Sequence, residues 1–175
     1  MEHSRTLVET QLWRSYEEKV DPDSKRSVWI KEVYEEASKS LAQVPKTFPN
    51  YTLHNETHIL NVLDAIAGIL GNQITNLSPC EMELLILAAS LHDLGMVYEN
   101  KEKEAYLGDK QKFQQYLRKN CPEHLGCDSE QCPENIRQWY LRSLHPFRVS
   151  SVLQNKKWTK LMSRRPREIV SENCI

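Results

Sequence analysis

The sequence lacks several features that would point to common classes of function. Its 175 residues include only five glycines, and without a glycine-rich phosphate loop there is no signature of P-loop or dinucleotide binding. No apolar run is long enough to span a bilayer, and no secretory signal pattern is present. The net charge of -1 gives no overall attraction to nucleic acid or to an anionic membrane. We therefore expect a cytoplasmic protein that binds neither.

The composition fits one domain with a single sizeable core, since 39% of residues are hydrophobic and the mean hydropathy is -0.63. Five cysteines in such a chain favour reduced thiols over a disulfide framework.

Four soft or borderline metal ligands lie in one short segment: Cys121, His124, Cys127 and Cys132. They could hold a structural zinc ion, but their spacing matches none of the common zinc patterns. An insert loop with free thiols is the preferred interpretation.

Hydrophobic periodicity predicts an all-α fold of roughly six to eight helices. Residues 1–45 are expected to form two amphipathic helices that cover the core. Residues 46–155 would form the core itself, with a polar, cysteine-containing insert at 97–133. Residues 156–175 are rich in lysine and arginine, and we expect either a disordered basic tail or the truncated continuation of a domain.

A nearly apolar helix ending in His92-Asp93 is the first sign of chemistry. Ser78, Pro79 and Glu81 mark its start as a capping box with proline in the first helical position. Burying either polar group of the His-Asp pair without a partner would be costly. A bound cation removes that cost, because neutral imidazole and carboxylate are both metal ligands.

Two further histidines precede this helix. His54 and His58 are four residues apart, so they project from one face of a predicted helix over about residues 55–70. Together with His92 and Asp93 they make a candidate ligand set.

The order His54-Asn55-x-x-His58, followed by an apolar helix ending in His92-Asp93, resembles the HD-domain superfamily of metal-dependent phosphohydrolases. Its first segment is similar to that of the cyclic nucleotide phosphodiesterases. The resemblance implies a compact, all-α HD-type helical bundle. It also implies that His58, His92 and Asp93 bind metal, that Asp93 can bridge two ions, and that His54 donates a proton to the leaving group.

A third segment, Arg142-x-x-His145-Pro146-x-Arg148, resembles the later histidine segment of some HD proteins. By that resemblance His145 completes a second metal site, and Arg142 or Arg148 binds substrate, since arginine suits phosphate oxygens. Pro146 predicts that a helix over about residues 135–144 ends and restarts here, with His145 near the new N-cap. The superfamily's last ligand is an aspartate on a late helix, and no aspartate follows His145. Either His145 or an earlier residue replaces it, or the chain is a truncated HD domain.

The expected function is hydrolysis of a nucleotide or other phosphate ester with one or two divalent ions (Mn²⁺, Mg²⁺, Fe²⁺ or Zn²⁺), which lower the pKa of bound water. Asp93 would orient that water, and His54 would act as the general acid. The alternative is a truncated, non-catalytic HD module that binds a nucleotide or a protein partner. A homo-oligomer or an added partner domain is left open.

Overall fold

The chain folds into a bundle of α-helices. A computed structural model describes residues 5–51 and 55–166, and this part contains eight α-helices and no strand. The helices are α1 (Gln11–Glu17), α2 (Lys25–Leu41), α3 (Glu56–Leu70), α4 (Pro79–Leu91), α5 (Asn100–Gly108), α6 (Lys110–Asn120), α7 (Glu134–Leu153) and α8 (Lys156–Met162). The all-α prediction is confirmed.

Polar side chains fix the starts of the two helices that carry the His-Asp motif. The Ser78 hydroxyl accepts the N–H of Glu81, and the Glu81 carboxylate accepts the N–H of Ser78, so the predicted capping box is confirmed. The Asn55 side chain caps α3 by accepting the N–H of His58. Each cap satisfies a donor that has no partner inside its helix.

One continuous core joins the N-terminal helices to the rest. Trp13 and Tyr16 of α1 and Ile30 of α2 are 0% exposed, as are Ile59 of α3 and Ile86 of α4. All belong to a single cluster of buried side chains. The N-terminal helices therefore form part of the core as well as its cover.

Helix α7 runs unbroken through Pro146, so the predicted restart at this residue is wrong. Proline cannot donate the hydrogen bond that residue 146 would make to the carbonyl oxygen of Arg142, four residues earlier. That oxygen instead accepts from His145 Nδ1 at 2.7 Å. A side chain thus supplies a donor for the carbonyl that proline leaves without its backbone partner.

Helices also lie in the segments that were expected to be polar or basic. The polar insert at 97–133 contains two of them, α5 and α6, separated at Asp109, whose side chain caps α6 by accepting the N–H of Lys112. The first part of the basic segment is helix α8, anchored by Trp158, which is 2% exposed. Residues 156–162 of the expected basic tail are therefore helical. No helix in the described ranges combines the length and apolarity needed to cross a membrane.

Candidate metal centre

The ends of two helices bring three of the predicted ligands together. His58 lies in the first turn of α3, and His92 and Asp93 follow the last turn of α4. The Nε2 atoms of His58 and His92 are 3.3 Å apart. Asp93 Oδ2 lies 3.1 Å from His58 Nε2 and 3.0 Å from His92 Nε2. These residues form the one group of three or more close metal-ligating side chains within the described residues.

The centre combines a buried carboxylate with two partly exposed imidazoles. Asp93 is 5% exposed, and 31% and 38% of the His58 and His92 side chains are exposed. The hydrogen bond with Asp93 raises the pKa of His92, against the opposing effect of burial. Nitrogen and carboxylate donors at such short separations fit a divalent ion, whose charge relieves the repulsion among their lone pairs.

A backbone contact fixes the direction of the His92 ring. His92 Nδ1 lies 2.9 Å from the carbonyl oxygen of Ala89. A carbonyl can only accept, so Nδ1 carries the hydrogen of this bond, and in the neutral ring Nε2 keeps its lone pair. That lone pair is on the atom nearest to Asp93. A histidine that donates its second nitrogen to a carbonyl in this way is typical of metal ligands.

His145 approaches the same carboxylate from α7 and is held in the same way. Its Nε2 lies 3.6 Å from Asp93 Oδ1, while its Nδ1 donates to the carbonyl oxygen of Arg142 at 2.7 Å. The ring thus offers an Nε2 lone pair on the side of Asp93. His145 is outside the close group of three, so its role as a ligand stays a prediction that this orientation favours.

The two arginines that flank His145 lie in different surroundings. Arg142 is exposed, and its guanidinium lies 4.9 Å from the centre of the Tyr51 ring. Arg148 is 2% exposed; its guanidinium donates to the carbonyl oxygens of Gly95 and Val97 and pairs with Glu102. Substrate binding by either residue stays a prediction, and the contacts of Arg148 favour a structural role.

Arg148 also stacks on aromatic rings that the sequence interpretation did not connect with the site. Its guanidinium carbon lies 3.5 Å from the centre of the Tyr98 ring, and the Tyr98 hydroxyl donates to the carbonyl oxygen of Leu141 at 2.7 Å. These contacts tie the chain just after Asp93 to α7. No local pattern indicates them, because they join residues more than 40 positions apart.

The proton donor implied by the resemblance, His54, lies outside the described residues. On either side of it, Asn55 caps α3 and the Tyr51 ring contacts Arg142. Its role stays a prediction.

The cysteine segment does not gather ligands for a second metal. Among the residues described, Cys121, His124, Cys127 and Cys132 form no close group of three metal-ligating atoms. Cys121 and Cys132 are 2% and 3% exposed, and burial raises the pKa of both thiols. They pack as small apolar residues in the core. The thiols are free, and these two cysteines attach to the core a segment whose other residues are mostly exposed.

A comparison with protein-family models identifies this arrangement. The model of the HD-CE family matches residues 48–173, which contain His58, His92, Asp93 and His145. The chain belongs to the HD-CE family. The predicted resemblance to HD-type domains is therefore confirmed. No curated protein and no solved structure matches the chain.

Membership of HD-CE gives the His-His-Asp cluster its chemical context. HD-type domains have a phosphohydrolase-like fold and bind divalent metals. In this HD-CE chain the cluster could hold a metal ion.

Proposed function

We propose that the protein is a metal-dependent phosphohydrolase that cleaves a nucleotide or another phosphate ester. The observation that carries the proposal is the meeting of His58, His92 and the buried Asp93, with donor atoms 3.0–3.3 Å apart. The HD-CE match over residues 48–173 supports the same chemistry.

The metal would be held by His58, His92 and Asp93, and His145 would add a fourth ligand from α7. When bound, a divalent ion lowers the pKa of water and offsets negative charge on phosphoryl oxygens. The carbonyl oxygens that hold His92 and His145 keep both Nε2 lone pairs available. We propose one or two ions, with Mn²⁺, Mg²⁺, Fe²⁺ and Zn²⁺ as the candidates.

The protein's own groups would handle the proton transfers. Asp93 is an acceptor for the hydrogen of the attacking water and would orient it. His54 would donate a proton to the leaving oxygen, a task suited to imidazole because its ordinary pKa lies near neutrality. Arg142, exposed beside Tyr51, would bind the substrate phosphate with its forked donors.

The test is hydrolysis of a panel of nucleotide monoesters, cyclic nucleotides and simple phosphodiesters with each candidate metal. We expect metal-dependent turnover that His58→Ala abolishes together with metal binding. His54→Ala should keep metal binding and reduce kcat by roughly 10²–10⁴-fold. Loss of metal in His54→Ala would make His54 a ligand instead, and absence of turnover on the whole panel would contradict the proposal.

One observation favours a second candidate, an HD module that binds a nucleotide or a protein partner without turnover. Residues 146–175 contain no aspartate, so they do not supply the superfamily's late aspartate ligand. Nucleotide binding in a calorimeter by wild-type protein that hydrolyses none of the panel would favour this candidate.

A further inference from the structure

Proline at position 146 has a consequence for the histidine beside it. A proline inside a helix removes one hydrogen bond, and its ring crowds the carbonyl four residues earlier. In α7 that carbonyl belongs to Arg142. Its oxygen is therefore available to a donor other than the backbone.

His145 is that donor. Its Nδ1 lies 2.7 Å from the Arg142 oxygen, and its Nε2 lies 3.6 Å from Asp93 Oδ1. Holding Nδ1 as the protonated nitrogen leaves the Nε2 lone pair on the side of the carboxylate. The Arg142 carbonyl oxygen thus sets both the tautomer and the direction of the His145 ring.

His92 shows the same arrangement by a different route. Its Nδ1 donates to the carbonyl oxygen of Ala89 at 2.9 Å. Ala89 lies in the last turn of α4, where carbonyls have no helical N–H partner. At His92 the helix end frees the orienting carbonyl, whereas within α7 Pro146 removes the backbone donor of the orienting carbonyl.

We infer that Pro146 is a positioning residue for the metal centre, because it frees the Arg142 carbonyl to hold His145 with Nε2 toward Asp93. The inference rests on the proposed metal site, to which it assigns His145 as a ligand. Pro146 itself contacts no substrate or metal in this role.

The test uses Pro146→Ala in the full chain, which restores an N–H that competes for the Arg142 oxygen. Two-dimensional NMR of the ring nitrogens, recorded on metal-free protein at alkaline pH, reports the tautomer of neutral His145. We expect the Nδ1–H tautomer in wild type and a mixture in Pro146→Ala. Mn²⁺ affinity, measured by electron paramagnetic resonance, should fall about tenfold, as for loss of other groups that orient a ligand.

The melting temperature distinguishes a positioning role of Pro146 from a general structural role. Alanine is the better helix former, so Pro146→Ala should melt at or above the wild-type temperature while it binds metal less well. Pro133→Ala, at the exposed N-cap of the same helix, is the matched control and should leave the His145 tautomer and the Mn²⁺ affinity unchanged. Pro146→Gly restores the same N–H without alanine's helix propensity and should repeat the tautomer change.

A double-mutant cycle isolates the path through His145. His145→Ala should weaken Mn²⁺ binding, and adding Pro146→Ala to it should weaken binding no further. Wild-type tautomer and affinity in Pro146→Ala would overturn the inference, as would full additivity in the cycle. Wild-type protein that binds Mn²⁺ without any turnover would contradict the proposed hydrolysis, whereas the tautomer and the affinity would still decide the role of Pro146.

Discussion

At the scale of single residues, the centre is organised around one carboxylate. Asp93 lies within 3.6 Å of Nε2 atoms from three histidines: His58, His92 and His145. Two of these rings are fixed by carbonyl oxygens so that Nε2 carries a lone pair when the ring is neutral. Lone pairs on nitrogen and oxygen repel at such distances unless a proton or a metal ion lies between them. The centre therefore gains from binding a cation in a way that an ordinary buried ion pair does not.

Asp93→Asn tests whether the centre binds a cation, because all three histidine rings approach Asp93. The amide keeps the shape of the carboxylate and loses its charge, so we expect metal content by elemental analysis to fall to background. Wild-type protein should be stabilised by added Mn²⁺, by about 2.7 kcal/mol at a hundredfold excess over Kd, and Asp93→Asn should not be. Asp64→Asn, which removes an exposed carboxylate paired with Arg5, is the control. Equal metal content in the two variants would contradict the site.

At the scale of elements, the centre depends on a close approach between α7 and the short 3-10 turn Leu94–Met96 that follows Asp93. The backbone of Gly95 lies against the backbone of His145, and a methyl group at Gly95 would overlap the His145 carbonyl oxygen. Arg148 links the same two elements through the carbonyl oxygens of Gly95 and Val97. The His-Asp motif and the later histidine thus share one packed contact.

Gly95→Ala should separate these elements. We expect a loss of stability of about 1–3 kcal/mol from overpacking against backbone that cannot yield, together with weaker metal binding as His145 moves away from Asp93. Gly68→Ala is the matched control, since Gly68 is exposed on α3 with open space around its Cα. It should stabilise the protein by roughly 0.5–1 kcal/mol. Chemical denaturation of both variants checks the opposite signs; destabilisation by Gly68→Ala or none by Gly95→Ala would count against this packing.

Arg148→Met should show how much the buried guanidinium contributes. The change leaves the buried carbonyl oxygen of Gly95 and the partly buried one of Val97 without their donor and removes the stacking on Tyr98, so we expect a loss of about 2–4 kcal/mol in the free energy of unfolding. Arg137→Met, on the same helix, removes a more exposed pair with Glu134 and should cost less than about 1 kcal/mol. If Arg148→Met unfolds like wild type but loses substrate affinity, the substrate-binding prediction for Arg148 is favoured instead.

At the scale of the whole molecule, features that depend on local sequence patterns could be predicted, whereas features that depend on contacts between distant residues could not. The capping box at Ser78, the start of α3 at Asn55 and the His92-Asp93 pair are local patterns, and the structure has all three. The continuity of α7 differs from the usual effect of proline, and the contact of the His145 side chain with the Arg142 carbonyl oxygen is not visible in the sequence pattern. The burial of Arg148 depends on Gly95 and Val97, more than 50 positions earlier. Periodicity shows which face of a helix is apolar, but it does not show which partner covers it.

The N-terminal and C-terminal parts of the described chain meet at one buried carboxylate. Glu83 of α4 is 0% exposed and pairs with Arg26 of α2 and with Arg165, beyond α8. A buried charge that loses its partner keeps the cost of leaving water without the attraction that offset it. This triad therefore makes the stability of α2, α4 and the C-terminal segment interdependent.

Glu83→Gln should lower the free energy of unfolding by about 3–5 kcal/mol, because Arg26, whose side chain is 12% exposed, is left near the core without a counter-charge. Glu32→Gln is the matched control: its carboxylate pairs with Arg164 on the same side of the molecule, with 37% of the Glu32 side chain exposed, and its loss should cost less than about 1 kcal/mol. Urea denaturation followed by tryptophan fluorescence and by circular dichroism measures both. Coincident transitions with a large shift for Glu83→Gln alone would support one cooperative unit, whereas equal shifts for the two variants would contradict a special role for the triad.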